Sequence, residues 1–314
     1  MMRMRVGGEK RFALLLAARD SDYVKKVYGG YFNVFVDALG DEGERWDLFR
    51  VVEGDFPDMD ELQNYQAFVV SGSPYDAYGN EHWILKLCYL LQTLFSMQKK
   101  VLGICFGHQV LCRALGGSVA KSNSGWDIGV REITILKELL PRNSFELDEI
   151  PSSLSIIECH QDEVWEVPDG AQVIAYSDKT AVEMFSYGNT VLGIQGHPEY
   201  TKDILNNLID RLISAHSVEV PLAIWSSTMA LHLWPKLYKS VKVVAFNTTL
   251  SIMICLALTH TIGLTKRDLE LIILTTSNDL IVRRLIFQLC RSATVHITKS
   301  KEIQGVRQRL YGKQ

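Results

Sequence analysis

A cysteine flanked by two glycines is the feature of this sequence with the clearest chemical potential. In the stretch VLGICFGHQVL (residues 101–111), an apolar run ends at Cys105, with Gly103 two positions before it and Gly107 two positions after it. The apolar pattern then resumes at helical spacing, so the stretch predicts a strand, a sharp turn and a helix. Glycines lack the Cβ atoms that would collide in such a reversal, and a residue between them can occupy a strained turn.

A cysteine in that position has the properties of a nucleophile. The start of a helix favours the thiolate over the thiol, because unpaired backbone N–H groups carry a partial positive charge. The same N–H groups would face an oxyanion formed beside the sulfur. The alternative is that Cys105 is a small buried hydrophobe, as many free cysteines are. A core cysteine needs no glycine on either side, so the pattern favours the nucleophile.

A base and an acidic partner occur together in a later segment, VLGIQGHPEY (residues 191–200). We predict a buried strand over this segment, whose end presents His197 and Glu199 on the same side because strand side chains alternate with period two. Pro198 would end the strand ladder. A cysteine nucleophile needs a base, and the base needs an acceptor that orients it. A turn histidine is the alternative, which the cysteine motif upstream makes less favourable.

Two further segments end predicted strands with polar residues. SGSP (residues 71–74) follows a predicted strand at 67–71, and its glycine allows the backbone to approach a ligand closely; taken alone, it fits an ordinary turn equally well. His160, followed by Asp162, ends a predicted strand at 154–159. A site-lining role for His160 and a role as a buried histidine with satisfied polar atoms are equally compatible with this pattern.

The surrounding pattern predicts the elements that must position these residues. Strands alternate with helices before Cys105, which indicates a parallel sheet with helices on its faces and a site at the carboxyl ends of the strands. Residues 127–137 and 154–159 are predicted as antiparallel additions. The predicted strands before Cys105 are 11–17, 45–52 and 67–71, the predicted helices are 22–35 and 84–97, and later strands are predicted at 173–176 and 180–185.

Composition narrows the class of protein. The chain has 314 residues, 47% of them hydrophobic, enough for one large α/β domain or two small ones. Its six cysteines include no C-x-x-C pair, which argues against structural zinc or a disulfide framework and favours a reducing compartment. The apolar run at 12–18 is only seven residues long, so we predict a first strand rather than a signal peptide.

The end of the chain differs from the rest in charge. Residues 241–314 carry eleven Lys/Arg and four Asp/Glu, a net +7, which leaves 22 against 32, a net −10, for residues 1–240. The segment 243–265 has no charged side chain and is long enough to cross a bilayer, although it contains five threonines. Three interpretations remain: a membrane anchor, a helical appendage with a basic partner-binding face, and an altered gene end. The basic residues are not interleaved with aromatics, so we expect no nucleic-acid partner.

The motifs SGSP, GICFGHQ and GHPE, in this order and at these separations, resemble the class I (triad) glutamine amidotransferases. The stretches KRFALLLA, CHQDEV and VEMFSYG are similar to the plant γ-glutamyl peptidases, cytosolic members of that group. This resemblance implies an α/β fold with a flavodoxin-like, mostly parallel sheet and helices on both faces. We therefore divide the chain into a catalytic domain (10–213), a degraded helical remnant (214–240) and an atypical basic tail (241–314).

The resemblance also implies roles for individual residues. Cys105 would be the nucleophile, His197 the general base and acid, and Glu199 the residue that fixes the imidazole tautomer. The backbone N–H groups of Gly72 and Phe106 would form the oxyanion hole. A further set would line the pocket for the glutamyl head group: Gln109, His160 and Asp162.

The expected function is hydrolysis of the γ-glutamyl bond of γ-glutamyl peptides, such as glutathione conjugates, through a γ-glutamyl thioester. The setting implied is the cytosol and sulfur-containing secondary metabolism such as glucosinolate biosynthesis, with a small-molecule substrate, no metal or cofactor, and no membrane partner; the oligomeric state stays open. The chain has no G-x-x-x-x-G-K-[ST] loop, which favours a stand-alone hydrolase. The alternatives are a glutaminase subunit that supplies ammonia to a separate synthase and a catalytically silent binding homologue.

Overall fold

The computed structural model describes residues 10–139 and 151–215. The basic tail, the uncharged segment at 243–265 and all but the first two residues of the predicted helical remnant lie outside this range. Within it, no helix combines the length and the apolar character that a membrane span requires. The described chain separates into two compact units between residues 207 and 208.

The first half of the chain alternates strands and helices, as predicted. Two short 3₁₀ helices, Val51–Glu53 and Met59–Asn64, separate the second and third strands. The main elements are β1 (Lys10–Leu15), α1 (Asp22–Tyr28), α2 (Tyr31–Leu39), β2 (Glu44–Phe49), β3 (Ala67–Val70), α3 (His82–Ser96), β4 (Lys100–Ile104) and α4 (Phe106–Ala114).

The second half is mostly strand. A 3₁₀ turn at Lys137–Leu139 follows the long sixth strand. The elements are β5 (Ser118–Lys121), β6 (Asp127–Ile135), β7 (Ser153–His160), β8 (Asp162–Glu166), β9 (Gln172–Tyr176), β10 (Met184–Tyr187), β11 (Val191–Ile194) and α5 (Lys202–Ser214).

Nine of these strands form one sheet in the order β2-β1-β3-β4-β11-β10-β9-β6-β7. The first five are parallel, and β10, β9, β6 and β7 continue the sheet with antiparallel pairings. The order of the five parallel strands is that of a flavodoxin-like fold. Strands β5 and β8 form a separate antiparallel pair. The predicted fold class is confirmed, including the antiparallel additions at 127–137 and 154–159.

Alternation along the strands fills two cores, one on each face of the sheet. In β1, Ala13 and Leu15 pack in the core that α3 and α4 cover. Phe12 and Leu14 point to the other face and pack in a core that includes Phe35 of α2. Because β1 is buried on both faces, its sequence reads as a continuous apolar run rather than an alternating one.

Among the predicted boundaries, two were wrong because a local turn intervenes. The helix predicted over 22–35 is two helices, since Gly29 adopts a left-handed conformation (φ 76°) and its N–H donates to the Lys25 carbonyl, which ends α1. The strand predicted to begin at 180 begins at Met184. Before it, the Ser177 hydroxyl accepts a hydrogen bond from the Thr180 N–H (3.0 Å) and closes a turn.

The glycines around Cys105 allow α4 to lie very close to the sheet. An ideal Cβ on Gly107 would stand 2.3 Å from the Val70 carbonyl oxygen of β3. A Cβ on Gly103 would stand 2.4 Å from the Gly107 carbonyl oxygen. Both positions therefore require glycine, because the backbones lie in contact there. A change of side-chain rotamer could not relieve the clash of an added Cβ with a backbone atom.

We expect Gly107→Ala to lower the free energy of unfolding by about 1–3 kcal/mol, because the added methyl group overpacks a backbone contact. Urea denaturation followed by circular dichroism measures this. Glu132→Ala, at an exposed position of β6, serves as the control and should change the stability by less than about 0.5 kcal/mol. An unchanged midpoint for Gly107→Ala would contradict the close approach of α4.

Candidate active site

Cys105 lies at the junction of β4 and α4 in a strained backbone conformation. Its φ of 53° and ψ of −106° make it one of two non-glycine residues with positive φ among those described, the other being Gln98. The Cys105 N–H donates to the Ile194 carbonyl (2.8 Å), and the Cys105 carbonyl accepts from the Gln109 N–H (3.1 Å). Such strain persists only where the surrounding structure fixes it, and it concentrates at functional sites.

The structure brings His197 and Glu199 to this junction. His197 is hydrogen-bonded to Cys105, and its Nδ1 lies 2.8 Å from Oε1 of Glu199. All three side chains are buried, with 7% of Cys105, 4% of His197 and 1% of Glu199 exposed. A sulfur, an imidazole and a carboxylate therefore form one chain of contacts away from bulk water.

We predicted that His197 and Glu199 lie on the same side because they alternate along a strand. This prediction was wrong, because the strand does not reach His197. Strand β11 ends at Ile194, and His197 and Glu199 lie in the loop that follows. The loop is held by a hydrogen bond from the His197 N–H to the Ile157 carbonyl of β7 (2.7 Å). The position of His197 is thus fixed by an antiparallel strand that lies apart from it in the sequence.

The charges around His197 raise its pKa. Burial lowers the pKa of the imidazolium, but the anionic forms of Glu199 and Cys105 favour the proton more strongly. The net effect raises the pKa of His197 from 6.5 to about 10. His197 therefore keeps its proton to a higher pH than a free histidine does.

Tyr200 fixes the plane of the imidazole. Its ring stacks on that of His197 with centroids 4.0 Å apart and an angle of 3° between the planes. Sequence reasoning missed this residue, and only its place three positions after His197 could have suggested it. Stacking on one face and the bond to Glu199 at one edge leave the ring little freedom to turn.

Gly72, in the loop after β3, contacts the same site. The Ser71 hydroxyl accepts from the Ala17 N–H (2.9 Å) and donates to the Gly72 carbonyl (2.9 Å), which fixes the loop. An ideal Cβ on Gly72 would lie 2.9 Å from Cε1 of His197 and 3.6 Å from Cβ of Cys105. Only a glycine lets this backbone approach both groups.

Phe106 contributes a second backbone amide next to Cys105. It is the first residue of α4, and the N–H groups of a first helical turn have no partner within the helix. The amides of Gly72, in the loop after β3, and of Phe106, at the start of α4, thus both lie near Cys105.

The three residues predicted to line a pocket lie together, and one of them, Gln109, is one helical turn after Cys105. Nε2 of Gln109 donates to the Asp162 carbonyl (2.8 Å) and to Oε1 of Gln195 (3.1 Å). Nδ1 of His160 lies 3.0 Å from the same Asp162 carbonyl. Burial lowers the pKa of His160 to about 4, so its imidazole is neutral at physiological pH.

The Asp162 side chain faces a neighbouring loop. Its Oδ1 accepts a hydrogen bond from the Tyr78 hydroxyl (3.3 Å). Burial, followed by the nearby charge of Asp76, raises the pKa of the Asp162 carboxyl. Asp162 is therefore tied to the loop after β3 as well as to α4.

A buried pair of carboxyl groups was not anticipated from the sequence. Glu158 and Glu183 are both fully buried, and the negative charge of Glu183 acts on Glu158. Burial raises the pKa of both groups, well above the ordinary value for Glu158 and to about 7 for Glu183. The negative charge of Cys105 also raises the pKa of Glu158, which places the pair within electrostatic reach of the sulfur. Burial and the neighbouring negative charges thus favour the neutral, protonated form of Glu158.

The arrangement is suited to acyl transfer. A thiolate at a helix N-terminus can attack a carbonyl carbon, two backbone amides can face the resulting oxyanion, and an adjacent imidazolium can protonate a leaving group. Across residues 10–139 and 151–215, no group of His, Cys, Asp and Glu side chains is arranged as a metal site.

Comparison with known proteins identifies the family. A model of the family described as glutamine amidotransferase class-I matches residues 24–210. The chain is 55% identical to gamma-glutamyl peptidase 5 of Arabidopsis thaliana over 218 residues, which cover 69% of this chain and 87% of that protein. It is 51% identical to gamma-glutamyl peptidase 3 of the same plant over 239 residues, 74% of this chain and 96% of that protein.

A solved structure shows the same fold. A glutamine amidotransferase from Thermotoga maritima superimposes with a TM-score of 0.55 at 19% identity, covering 90% of this chain and 97% of its own. At that identity the likeness concerns the fold alone. Together, the match over residues 24–210 and the identity to the plant relatives show that the chain belongs to the class-I glutamine amidotransferase family.

Proposed function

We propose that this protein is a cysteine hydrolase that removes the γ-glutamyl group from γ-glutamyl peptides through a γ-glutamyl thioester. The observation that carries the proposal is the chain of contacts from Cys105 through His197 to Glu199 at a strained strand-helix junction. The names of the plant relatives, which are 51–55% identical, support the choice of the γ-glutamyl bond.

In the proposed reaction, the Cys105 thiolate attacks the γ-carbonyl carbon and forms a C–S bond. The N–H groups of Gly72 and Phe106 stabilise the tetrahedral oxyanion, and His197 gives its proton to the amine as the C–N bond breaks. His197, now neutral, then takes a proton from the water that hydrolyses the thioester, and glutamate leaves. Glu199 holds the imidazole in the orientation that both proton transfers need.

The proposed substrate contacts divide between two parts of the site. Gln109, His160 and Asp162 would receive the glutamyl head group, because they lie together and Gln109 is one helical turn after the nucleophile. The amine half would be that of a glutathione conjugate, in sulfur-containing secondary metabolism in the cytosol. The rival function is that of a glutaminase that passes ammonia to a separate synthase. The match to the glutamine amidotransferase class-I family supports this rival.

The direct test is the release of glutamate by the purified protein. We expect hydrolysis of glutathione and its S-conjugates at a higher kcat/KM than hydrolysis of free glutamine, and no activity in Cys105→Ala. Mass spectrometry of products from a mixture of γ-glutamyl compounds measures this. Hydrolysis of glutamine alone, or only when a synthase partner is added, would favour the rival function; activity retained in Cys105→Ala would exclude the proposed nucleophile.

Glu199→Gln should lower kcat about 10²- to 10⁴-fold, because the orienting acceptor is lost. It should also move the alkaline limit of activity to lower pH. The carboxylate helps raise the pKa of His197 to about 10, so without it the imidazolium loses its proton at lower pH. Profiles of kcat/KM against pH for both proteins measure the shift. An unchanged alkaline limit would show that Glu199 does not act on His197.

Gly72→Ala should reduce kcat about 10²- to 10³-fold while the protein stays folded, the loss expected when one oxyanion donor is displaced. The new methyl group would meet His197 Cε1 at 2.9 Å, so either the imidazole or the Gly72 amide must move. Turnover and the thermal midpoint should be measured on the same preparation. Full activity in a folded Gly72→Ala protein would remove Gly72 from the proposed oxyanion hole.

A further inference from the structure

Glu158 adjoins two parts of the candidate site, although it belongs to none of the motifs that predicted the site. Its side chain is fully buried on β7. Its Oε2 lies 3.4 Å from Nε2 of His160. An ideal Cβ on Gly196 would stand 2.4 Å from its Oε1, so the carboxyl group packs against the backbone that precedes His197. One carboxyl group thus lies between the predicted pocket for the glutamyl head and the loop that carries the base.

The hydrogen bonding of His160 determines which of its ring nitrogens carries a proton. Nδ1 lies 3.0 Å from the Asp162 carbonyl, and a carbonyl oxygen can only accept, so Nδ1 is the donor. The pKa of His160 is lowered to about 4 by burial, so the ring is neutral at physiological pH and holds a single proton. Nε2 therefore presents a lone pair, and the Glu158 oxygen faces it.

That lone pair requires a donor. Among residues 10–139 and 151–215, no group meets the geometry of a hydrogen bond to Nε2 of His160. A carboxylate at Glu158 would set two acceptors against each other, whereas a protonated carboxyl would direct its O–H at the nitrogen. A buried acceptor without a donor is costly, so the contact favours the acid form of Glu158.

The charges around Glu158 favour the same form. Negative charge comes from Glu183, from Asp127 on β6 and from Cys105, and together with burial it raises the pKa of Glu158. The cations of this region pair with Asp127 instead: Arg131 (2.7 Å) and Lys179 (3.5 Å). The hydrogen-bond pattern and the electrostatic surroundings thus lead independently to a neutral carboxylic acid.

We propose that Glu158 is a positioning residue that acts as a neutral carboxylic acid and donates a hydrogen bond to Nε2 of His160. This bond keeps the Nδ1 proton of His160 directed at the Asp162 carbonyl, which also accepts from Nε2 of Gln109 (2.8 Å). It thereby holds the residues that would receive the glutamyl head, and it adds no negative charge beside Cys105. The inference rests on the proposed function, and Glu158 acts through His160 rather than on the substrate.

The position of the proton can be observed in the wild-type protein. A long-range ¹H–¹⁵N spectrum of protein labelled with ¹⁵N-histidine reports which ring nitrogen of each histidine is protonated, and His160→Gln identifies the signal. At neutral pH we expect His160 to be protonated at Nδ1 alone. A proton on Nε2 would overturn the inference, because the Glu158 oxygen would then be the acceptor.

Two substitutions separate the hydrogen-bond donor from the shape of the side chain. Glu158→Gln supplies an amide N–H to Nε2 of His160, so kcat/KM for glutathione should stay within about threefold of wild type. Glu158→Met is similar in length but has no donor, so kcat/KM should fall about 10- to 100-fold, mainly through KM. Equal losses in both variants, or full activity in Glu158→Met, would overturn the donor role.

Leu154→Ala is the matched control, because Leu154 is buried on the same strand and, by the alternation of strand side chains, on the same face as Glu158. It should lower the thermal midpoint but leave kcat/KM unchanged. A loss of kcat/KM as large as that of Glu158→Met would show that packing of β7 is responsible, and would overturn the positioning role. If wild-type protein released no glutamate from glutathione, the proposed function and the positioning role would both fail, whereas the histidine spectrum would still decide the form of Glu158.

Discussion

The contact between the Cys105 sulfur and the His197 imidazole is the interaction on which the rest of this structure depends. It requires a strand to reverse into a helix within one residue, and that residue must accept a positive φ. The reversal is possible because glycines at positions 103 and 107 let α4 approach the sheet to within backbone contact. The hydrogen bonds of Cys105 to Ile194 and Gln109 then hold the strained residue in place.

Electrostatics determines the form in which the pair exists. Burial disfavours a charged imidazole, yet the thiolate and Glu199 reverse that effect and raise the pKa of His197 to about 10. The buried carboxyl groups of Glu158 and Glu183 are neighbours, Glu158 lies within electrostatic reach of the same sulfur, and burial raises the pKa of both carboxyls. The raised pKa of each carboxyl favours its neutral form and so limits the negative charge near the sulfur, although neither group need touch a substrate.

The sequence was sufficient to predict the features that depend on local pattern. The glycines around Cys105 and the order of strands and helices led to a sheet whose class the structure confirms, and the motifs led to the right family. What it could not predict depends on contacts between distant segments. The end of β11 at Ile194 is one example, because the Ile157 carbonyl that holds His197 belongs to β7, a strand with no sequence signal linking it to the loop. Tyr200 and the Glu158–Glu183 pair were missed for the same reason: a ring or a carboxyl gains its role from its neighbours in the fold.

The most direct test of the account is to trap the covalent intermediate. The protein is mixed with a γ-glutamyl peptide, quenched in acid during turnover, digested and mapped by mass spectrometry. The proposed mechanism predicts a single glutamyl group on the peptide that contains Cys105, and its accumulation when thioester hydrolysis is slowed. Turnover without any adduct on that peptide, or an adduct on another residue, would contradict it.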